Sequence, residues 1–498
     1  MSFTDFVERY SGNETSGLSK KNLIFAFVIL LTRIPFIFSG FGTDEDSWGI
    51  ALTAININQL HQYEVSRFPG FPVHEIISAL FISGGAVVLN LLTAIMSALA
   101  VLFFVCFLQE KHFRYPYLAG FVFAFTPVVF IHSTDTIDYM WATAFIMLSF
   151  WMMEKNKLIF SALMLGLATG CRITSLVMLM PFCVLLIEND KSTRKIFLKI
   201  TKYIVVTLAA SVFFYLPVIV TYGTAFFTFY DLSGYPTIPK VLYKFLLGVW
   251  GMSGCIALAY GVAMLLFSSP LKARRYLFPK TVNEKHVIAW LVAVDLTIIV
   301  FLRLPYEAGY LIPIIPFTIL VFGKYLHDKA FIFFSILLII SPWLLGISTT
   351  DKPDSPEPSS ASVQLNIFSV PVNIDLFRGP VRMDYEGRKA TVAFADSVIH
   401  ESQFISDTSV IICGWWSSKI LYRYAQLPES EKNKKLTWGH YLDKNELIDY
   451  VQNRYNIFYL PMQDSLEKKL YGLDIKYFGA VPLFSEDEEE PADLQTEP

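Results

Sequence analysis

Apolar segments long enough to cross roughly 30 Å of hydrocarbon recur throughout the first 350 residues, and that recurrence leaves few folds open to the chain. Within a bilayer every backbone amide needs an internal partner, so uninterrupted apolar runs of this length specify helices. The spans read from the sequence are approximately 22–40, 86–109, 115–132, 137–153, 157–171, 173–188, 197–221, 241–267, 286–302, 306–323 and 330–348. The third to sixth are short and closely connected, which predicts a broken or tilted helix among them. Only 17% of the 498 residues are charged, against about a quarter in soluble proteins. The expected fold is a polytopic α-helical membrane protein with about 11 transmembrane helices. A formal net charge of -3 gives no basic surface for nucleic acid. The five cysteines form no CxxC pair and no disulfide framework.

Orientation follows from Lys and Arg in the short loops. Loops on the starting side carry Lys20, Lys21, Lys111, Arg114, Lys155, Arg194, Arg274 and Arg275 among others; the opposite side carries Arg67, Arg172, Lys240, Lys244 and Arg303. The amino terminus is therefore expected in the cytoplasm, and an odd number of spans places the carboxyl terminus outside. Residues 1–350 form the membrane domain, with a long first outer loop at 41–85. A Pro/Ser linker follows at 351–364 ("DKPDSPEPSSAS" and its flank). Residues 365–484 are expected to form an extracytoplasmic α/β domain, with strands in "SVIICGW" and "NIFYLPM" and a helix in "DKNELIDYVQNRY" opened by an Asp443–Glu446 capping box. Residues 485–498 read as an acidic disordered tail.

The outer face collects polar residues from five separate connections: "TDEDSW" (43–48), "SRFPGFPVHE" (66–75), "IHSTDTIDY" (131–139), "GCRITS" (170–175) and "FLRLPYEAGY" (301–310). Charges at membrane depth cost about 2.5–3.5 kcal/mol each on insertion scales, so they face a cavity or one another. Their convergence predicts one polar chamber at the outer membrane surface. Within the first loop, Trp48, Ala51, Leu52 and Ile55 share a helical face suited to an interfacial helix, and "VHEIISALFI" suits a second. Each element also has a plain structural reading. Thr43 and Asp46 fit a capping box; Arg67 fits snorkelling to lipid phosphates; Arg172 and Arg303 fit a helix carbonyl end or a carboxylate such as Glu307. His74 and His132 fit structural roles, and Asp135 and Asp138 fit helix capping.

Guanidinium forks bind phosphate oxygens and stay charged, and a carboxylate can take a proton from an attacking hydroxyl. A lipid-linked phosphosugar would use both. The chain resembles the GT-C superfamily of integral-membrane glycosyltransferases, in the branch of the protein O-mannosyltransferases and the lipid A aminoarabinose transferase. The likeness rests on the acidic Asp44-Glu45 opening of the first outer loop and on the "RFPGFP" turn between two interfacial helices. It extends to "GLATGCRITSLVMLMP" (166–181), "YLIPIIPF" (310–317) and the outer carboxyl-terminal domain.

The resemblance implies a GT-C-like fold and an inverting transfer of a monosaccharide from a polyprenyl-phosphate donor to an acceptor hydroxyl on a glycan, lipid or protein, at the extracytoplasmic face. It implies that Asp44 is the base and that Arg67 contacts the donor phosphate. The third acid departs from the pattern, so Asp46 remains an alternative base. Asp44 and Asp46 could also share a divalent cation, although no cofactor is required. With Glu45 these make the catalytic candidates. Arg67, Arg172 and Arg303 are the phosphate-binding candidates, and His74, Glu75, Asp135, Asp138, Tyr306, Glu307 and Tyr310 the substrate-binding ones. Membrane lipids are the expected surroundings, in a bacterial plasma membrane in preference to the endoplasmic reticulum. The competing readings are a secondary transporter, whose charges should lie near the bilayer midplane, a ligase or flippase of lipid-linked oligosaccharide, and a non-catalytic assembly subunit.

Overall fold

The computed structural model describes residues 18–188, 193–227, 235–267, 282, 284–349, 362–367, 370–440, 444–460 and 476–477. Each apolar segment contains helix. In order they are α1 (Lys20–Arg33); α2 (Glu45–Leu60) and α3 (Pro72–Phe81) in the first loop; α4 (Gly85–Glu110), α5 (Pro116–Phe125), α6 (Pro127–Ile131), α7 (Tyr139–Glu154) and α8 (Leu158–Cys171). They continue with α9 (Leu179–Glu188), α10 (Thr193–Tyr222), α11 (Ile238–Phe245), α12 (Leu247–Phe267), α13 (Glu284–Arg303), α14 (Ile314–Tyr325) and α15 (Asp328–Ile340). Among the described residues, Pro72–Glu110, Thr193–Tyr222, Leu247–Phe267 and Glu284–Arg303 are long and apolar enough to cross a membrane by themselves.

The irregularities have identifiable causes. The expected span at 115–132 breaks between α5 and α6 because Pro127 has no N–H to continue the ladder. The span at 173–188 opens as a 3-10 turn, Ile173–Met178, before α9. In α12 the kink at Gly251 (φ 65°) accommodates Ser341, whose hydroxyl donates to the Trp250 carbonyl at 2.5 Å and accepts from Gly254 N–H at 3.2 Å. The last expected span, 330–348, is shorter than its hydropathy suggested. Helix α15 stops at Ile340, before Ser341-Pro342, and Gly346–Thr349 forms strand β1.

Strand β1 belongs to the carboxyl-terminal region. It pairs antiparallel with β3 (Val370–Asp375), which pairs on its other edge with β2 (Ser362–Ile367). Regular structure thus begins before residue 365 on both sides of the expected linker; residues 350–361 lie outside the described residues. Helix α16 (Pro380–Ser402) leads to β4 (Ser409–Ile412), α17 (Ser417–Ala425), β5 (Leu436–Gly439), α18 (Lys444–Gln452), β6 (Asn456–Tyr459) and β7 (Lys476–Tyr477). The parallel sheet has the order β5-β4-β6-β7, so β4 is central, and its four residues are buried. Parallel strands covered by helices explain why Val410, Ile411 and Ile412 are apolar in succession. Asp443 of the expected capping box and the acidic segment 485–498 lie outside the described residues.

The carboxyl-terminal region packs on the first loop. Trp48 is buried against Phe41 and Tyr422, with ring centroids 5.1 and 5.8 Å away, and its indole N–H donates to the Gly42 carbonyl at 2.8 Å. Helix α2 is thereby held between α3 and α17, which corrects the expectation that its Trp48 and Ala51 face lies against lipid. Burying an aromatic ring of this size contributes about 1.5–3 kcal/mol. The Thr43–Asp46 capping box is absent. The N-cap of α2 is Asp44, its side chain caps nothing, and the Thr43 hydroxyl donates instead to Asp384 on α16 at 2.6 Å. Arg388, also on α16, is buried; it donates to the Thr134 carbonyl at 2.6 Å and the Ile131 carbonyl at 3.1 Å, and pairs with Asp384 at 2.5 Å.

Candidate active site

The five polar connections do meet. A cavity of about 750 Å³ is lined by Asp44, Glu45 and Asp46 from the first loop and the start of α2, and by Arg67 from the loop before α3. Arg172 joins them from the end of α8, Arg303 from the end of α13, and Tyr306, Glu307 and Tyr310 from the connection to α14. Apolar side chains line the cavity as well. These are Ala142 and Ile146 of α7, further along the helix that Tyr139 opens, Val177 and Met178 of the 3-10 turn, and Val300 of α13.

Asp138 organises the guanidinium groups. It is fully buried at the N-cap of α7, but it caps nothing; one oxygen accepts from Arg172 Nη1 at 2.7 Å and the other from Arg67 Nη2 at 3.2 Å. Arg67 also pairs through Nε with Asp46 at 3.0 Å and lies 4.2 Å above the Phe71 ring. Arg172 lies between the rings of Tyr139 and Tyr310, at 4.6 and 4.5 Å. Two buried donors on this wall have no partner: Arg67 Nη1 and the Tyr139 hydroxyl. Gly309 makes room for the Tyr139 ring, since a Cβ there would stand 2.3 Å from it. Buried donors without acceptors are costly unless a ligand satisfies them.

The three acids differ in their surroundings. Asp44 lines the cavity and makes no hydrogen bond or ion pair among the described residues. Burial pushes the Asp46 carboxyl up and its partner Arg67 pulls it down, while Asp44 beside it adds to the rise. Glu45 accepts a hydrogen bond from Ser418 N–H at 2.5 Å, at the first turn of α17. Burial raises it to about 7, against the opposing pull of Lys419 and Ser418. Lys244 of α11 pairs with Glu307 at 3.0 Å, so Glu307 is not the partner of Arg172 or Arg303. Arg303 and Lys240 line the cavity and have no ion-pair partner among the described residues. Four carboxylates and six cationic side chains line the cavity, an excess that suits an anionic ligand.

Four expected substrate contacts do not line the cavity: Asp138, whose oxygens are taken by Arg67 and Arg172, and Glu75, His74 and Asp135. Glu75, fully buried, gathers its own loop: it accepts from Tyr63 Oη at 2.5 Å, Ser66 N at 2.8 Å, Ser66 Oγ at 2.7 Å and Phe71 N at 3.0 Å. His74 is buried edge-on against Trp141, and Asp135 pairs with His132 at 2.8 Å. None of the last three reaches the cavity wall. Glu75→Gln should therefore act on stability first, because its amide nitrogen cannot accept the bonds it replaces. Each lost bond costs about 1.5–3 kcal/mol, read as a lower thermal midpoint with the donor affinity of the surviving folded fraction retained.

The cavity also holds residues that the sequence did not single out. Lys240 and Lys244 register in sequence only as charges for orientation. Trp415, Trp416 and Lys419 come from the carboxyl-terminal region, at the carboxyl end of β4. The "GWW" that follows the buried "SVIIC" strand is the signal, since ligands bind beyond the carboxyl ends of parallel strands. A divalent cation fits poorly: no group of three or more His, Cys, Asp or Glu side chains converges among the described residues, and Asp46 is engaged by Arg67.

No family model matches the sequence, and no curated protein matches it. Among solved structures, the chain is similar to the crystal structure of ArnT from Cupriavidus metallidurans in the apo state, with 11% sequence identity, a TM-score of 0.48, and coverage of 90% of this chain and 86% of that one.

Proposed function

We propose that the chain is an inverting membrane glycosyltransferase that moves a monosaccharide from a polyprenyl-phosphate donor to an acceptor hydroxyl at the extracytoplasmic face. One observation carries this reading. A single cavity is lined by an unengaged carboxylate, Asp44, by an excess of cations and by apolar side chains. A donor with a prenyl chain, a phosphate and a sugar has the same three parts. The prenyl chain lies beside Ile146, Val177, Met178 and Val300. The phosphate meets Arg303, Lys240 and Arg67.

The acceptor oxygen attacks the anomeric carbon from the side opposite the phosphate, and its proton passes to Asp44. The bond between the anomeric carbon and the phosphate oxygen breaks, and polyprenyl phosphate leaves with the electron pair. The phosphate gains one negative charge in that step, which the cations stabilise more in the transition state than in the ground state. In-line displacement inverts the anomeric centre. The Lys and Arg bias of the loops supports a cytoplasmic amino terminus and an outer carboxyl-terminal domain.

A transporter reading fits less well. Arg303 ends α13, and Asp44 and Arg67 lie in the loop beyond α1, so the charges occupy the ends of helices and not their middles. The test is incubation of the purified protein with a panel of radiolabelled polyprenyl-phosphate monosaccharides and a membrane glycolipid and glycan extract. Transfer of label with inverted linkage is the expected result; inertness toward the whole panel, or retained configuration, contradicts the reading. Arg303→Ala and Arg67→Ala should each lower kcat/KM for the donor. The loss of one charge-assisted contact costs about 1.5–3 kcal/mol, or about 10- to 150-fold. Unchanged donor kinetics in both variants would remove the phosphate role.

A further inference from the structure

We propose that the carboxyl-terminal domain positions the base, with Asp384 acting through Thr43, and Ser418 acting through Glu45, to hold Asp44 from both sides. This rests on the reading of Asp44 as the proton acceptor. Asp44 itself is tied to nothing, yet both of its neighbours in sequence are tied to that domain. Thr43 donates to Asp384 Oδ1 at 2.6 Å, and Glu45 accepts from Ser418 N–H at 2.5 Å. Asp384 is in turn fixed by Arg388, which is anchored in the carbonyls of Ile131 and Thr134. The same stretch bonds back to the first loop, with Thr136 N–H donating to the Phe41 carbonyl at 2.7 Å.

A closed circuit results, running from the 131–136 loop through α16 to Thr43, across Asp44 to Glu45, and into α17. A carboxylate that takes a proton must stay within hydrogen-bond reach of the acceptor, and it must not lose its acceptor sites to structural bonds. Anchoring its neighbours meets both requirements. Thr43, Asp384 and Glu45 are positioning residues on this account, since they act through Asp44. The site is complete only with the domain docked.

Thr43→Val keeps the shape of the side chain and removes the donor; Thr43→Ser keeps the donor. In full-length protein supplied with the donor turned over in the panel, T43V should lower kcat about 10- to 100-fold while the donor KM stays within about 2-fold. T43S should restore most of the loss, and T43V combined with Asp384→Ala should be no worse than the worse single variant, because the two share one bond. Hydrogen–deuterium exchange needs no turnover. Amides of residues 43–48 should exchange faster in T43V than in the wild type, and at the wild-type rate in T43S. Wild-type kcat in T43V, unchanged exchange at 43–48, or T43S as impaired as T43V would each overturn the proposal. An active Asp44→Asn would instead remove the reading beneath it, so the two failures are separable.

Discussion

Asp44→Asn is expected to give a folded protein that binds donor and transfers no sugar. The carboxylate sits at the N-cap of α2 in an extended conformation, but it accepts no helix N–H and pairs with no cation among the described residues. Asparagine has nearly the same shape, so its effect on stability should stay within about 0.5 kcal/mol, as for most substitutions that break no contact. Loss of the proton acceptor should lower kcat by about 10²- to 10⁴-fold, the usual contribution of general-base catalysis. Donor affinity should hold, because the substitution leaves Arg67, Lys240 and Arg303 in place. Asp46→Asn differs. It removes a partner of Arg67 and should alter donor KM before kcat. Full turnover by D44N with loss in D46N would transfer the role of base to Asp46.

Asp138→Ala should produce the largest loss of stability. Asp138 is fully buried and is shared by Arg67 and Arg172, whose side chains are only 21% and 13% exposed. Deleting it leaves two guanidinium groups facing each other in a site partly closed to water. Breaking a buried ion pair by removing one partner costs about 3–5 kcal/mol, a large share of the roughly 5–15 kcal/mol by which a domain is stable. The thermal midpoint in detergent or nanodiscs should fall steeply, and the surviving protein should bind donor poorly because Arg67 and Arg172 lose their orientation. Asp138→Asn keeps two short polar arms and should lose less. A wild-type midpoint for D138A would mean that water or lipid headgroups already compensate the arginines.

What could be read from the sequence divides along physical lines. Apolar length is a local signal, so each expected span contains helix and the convergence of residues 44–46, 67, 172 and 303–310 on one chamber followed from their positions at span ends. The direction in which a loop side chain points is not a local property. Glu75 and Asp135 look like cavity acids in sequence but turn inward to Tyr63, Ser66 and His132. Thr43 looked like a cap for its own helix, and its partner is 341 positions away in sequence. Lys419 and Trp415 were out of reach for the same reason, since nothing local links the end of β4 to the first loop. The error at residues 341–348 was of another kind. Trp343, Leu344, Leu345 and Ile347 are as apolar as a span, and Pro342 alone marks the stop.

The most direct measurement is a cryo-EM structure of the full chain in nanodiscs with a non-reactive phosphonate analogue of a polyprenyl-phosphate sugar. Its prenyl chain is expected beside Ile146, Val177, Met178 and Val300, its phosphonate among Arg67, Lys240 and Arg303, and its anomeric carbon facing Asp44 across the space for an acceptor hydroxyl. Density for the headgroup at the opposite end of the bundle, or a phosphonate held away from these cations with Asp44 remote from the sugar, would contradict the account.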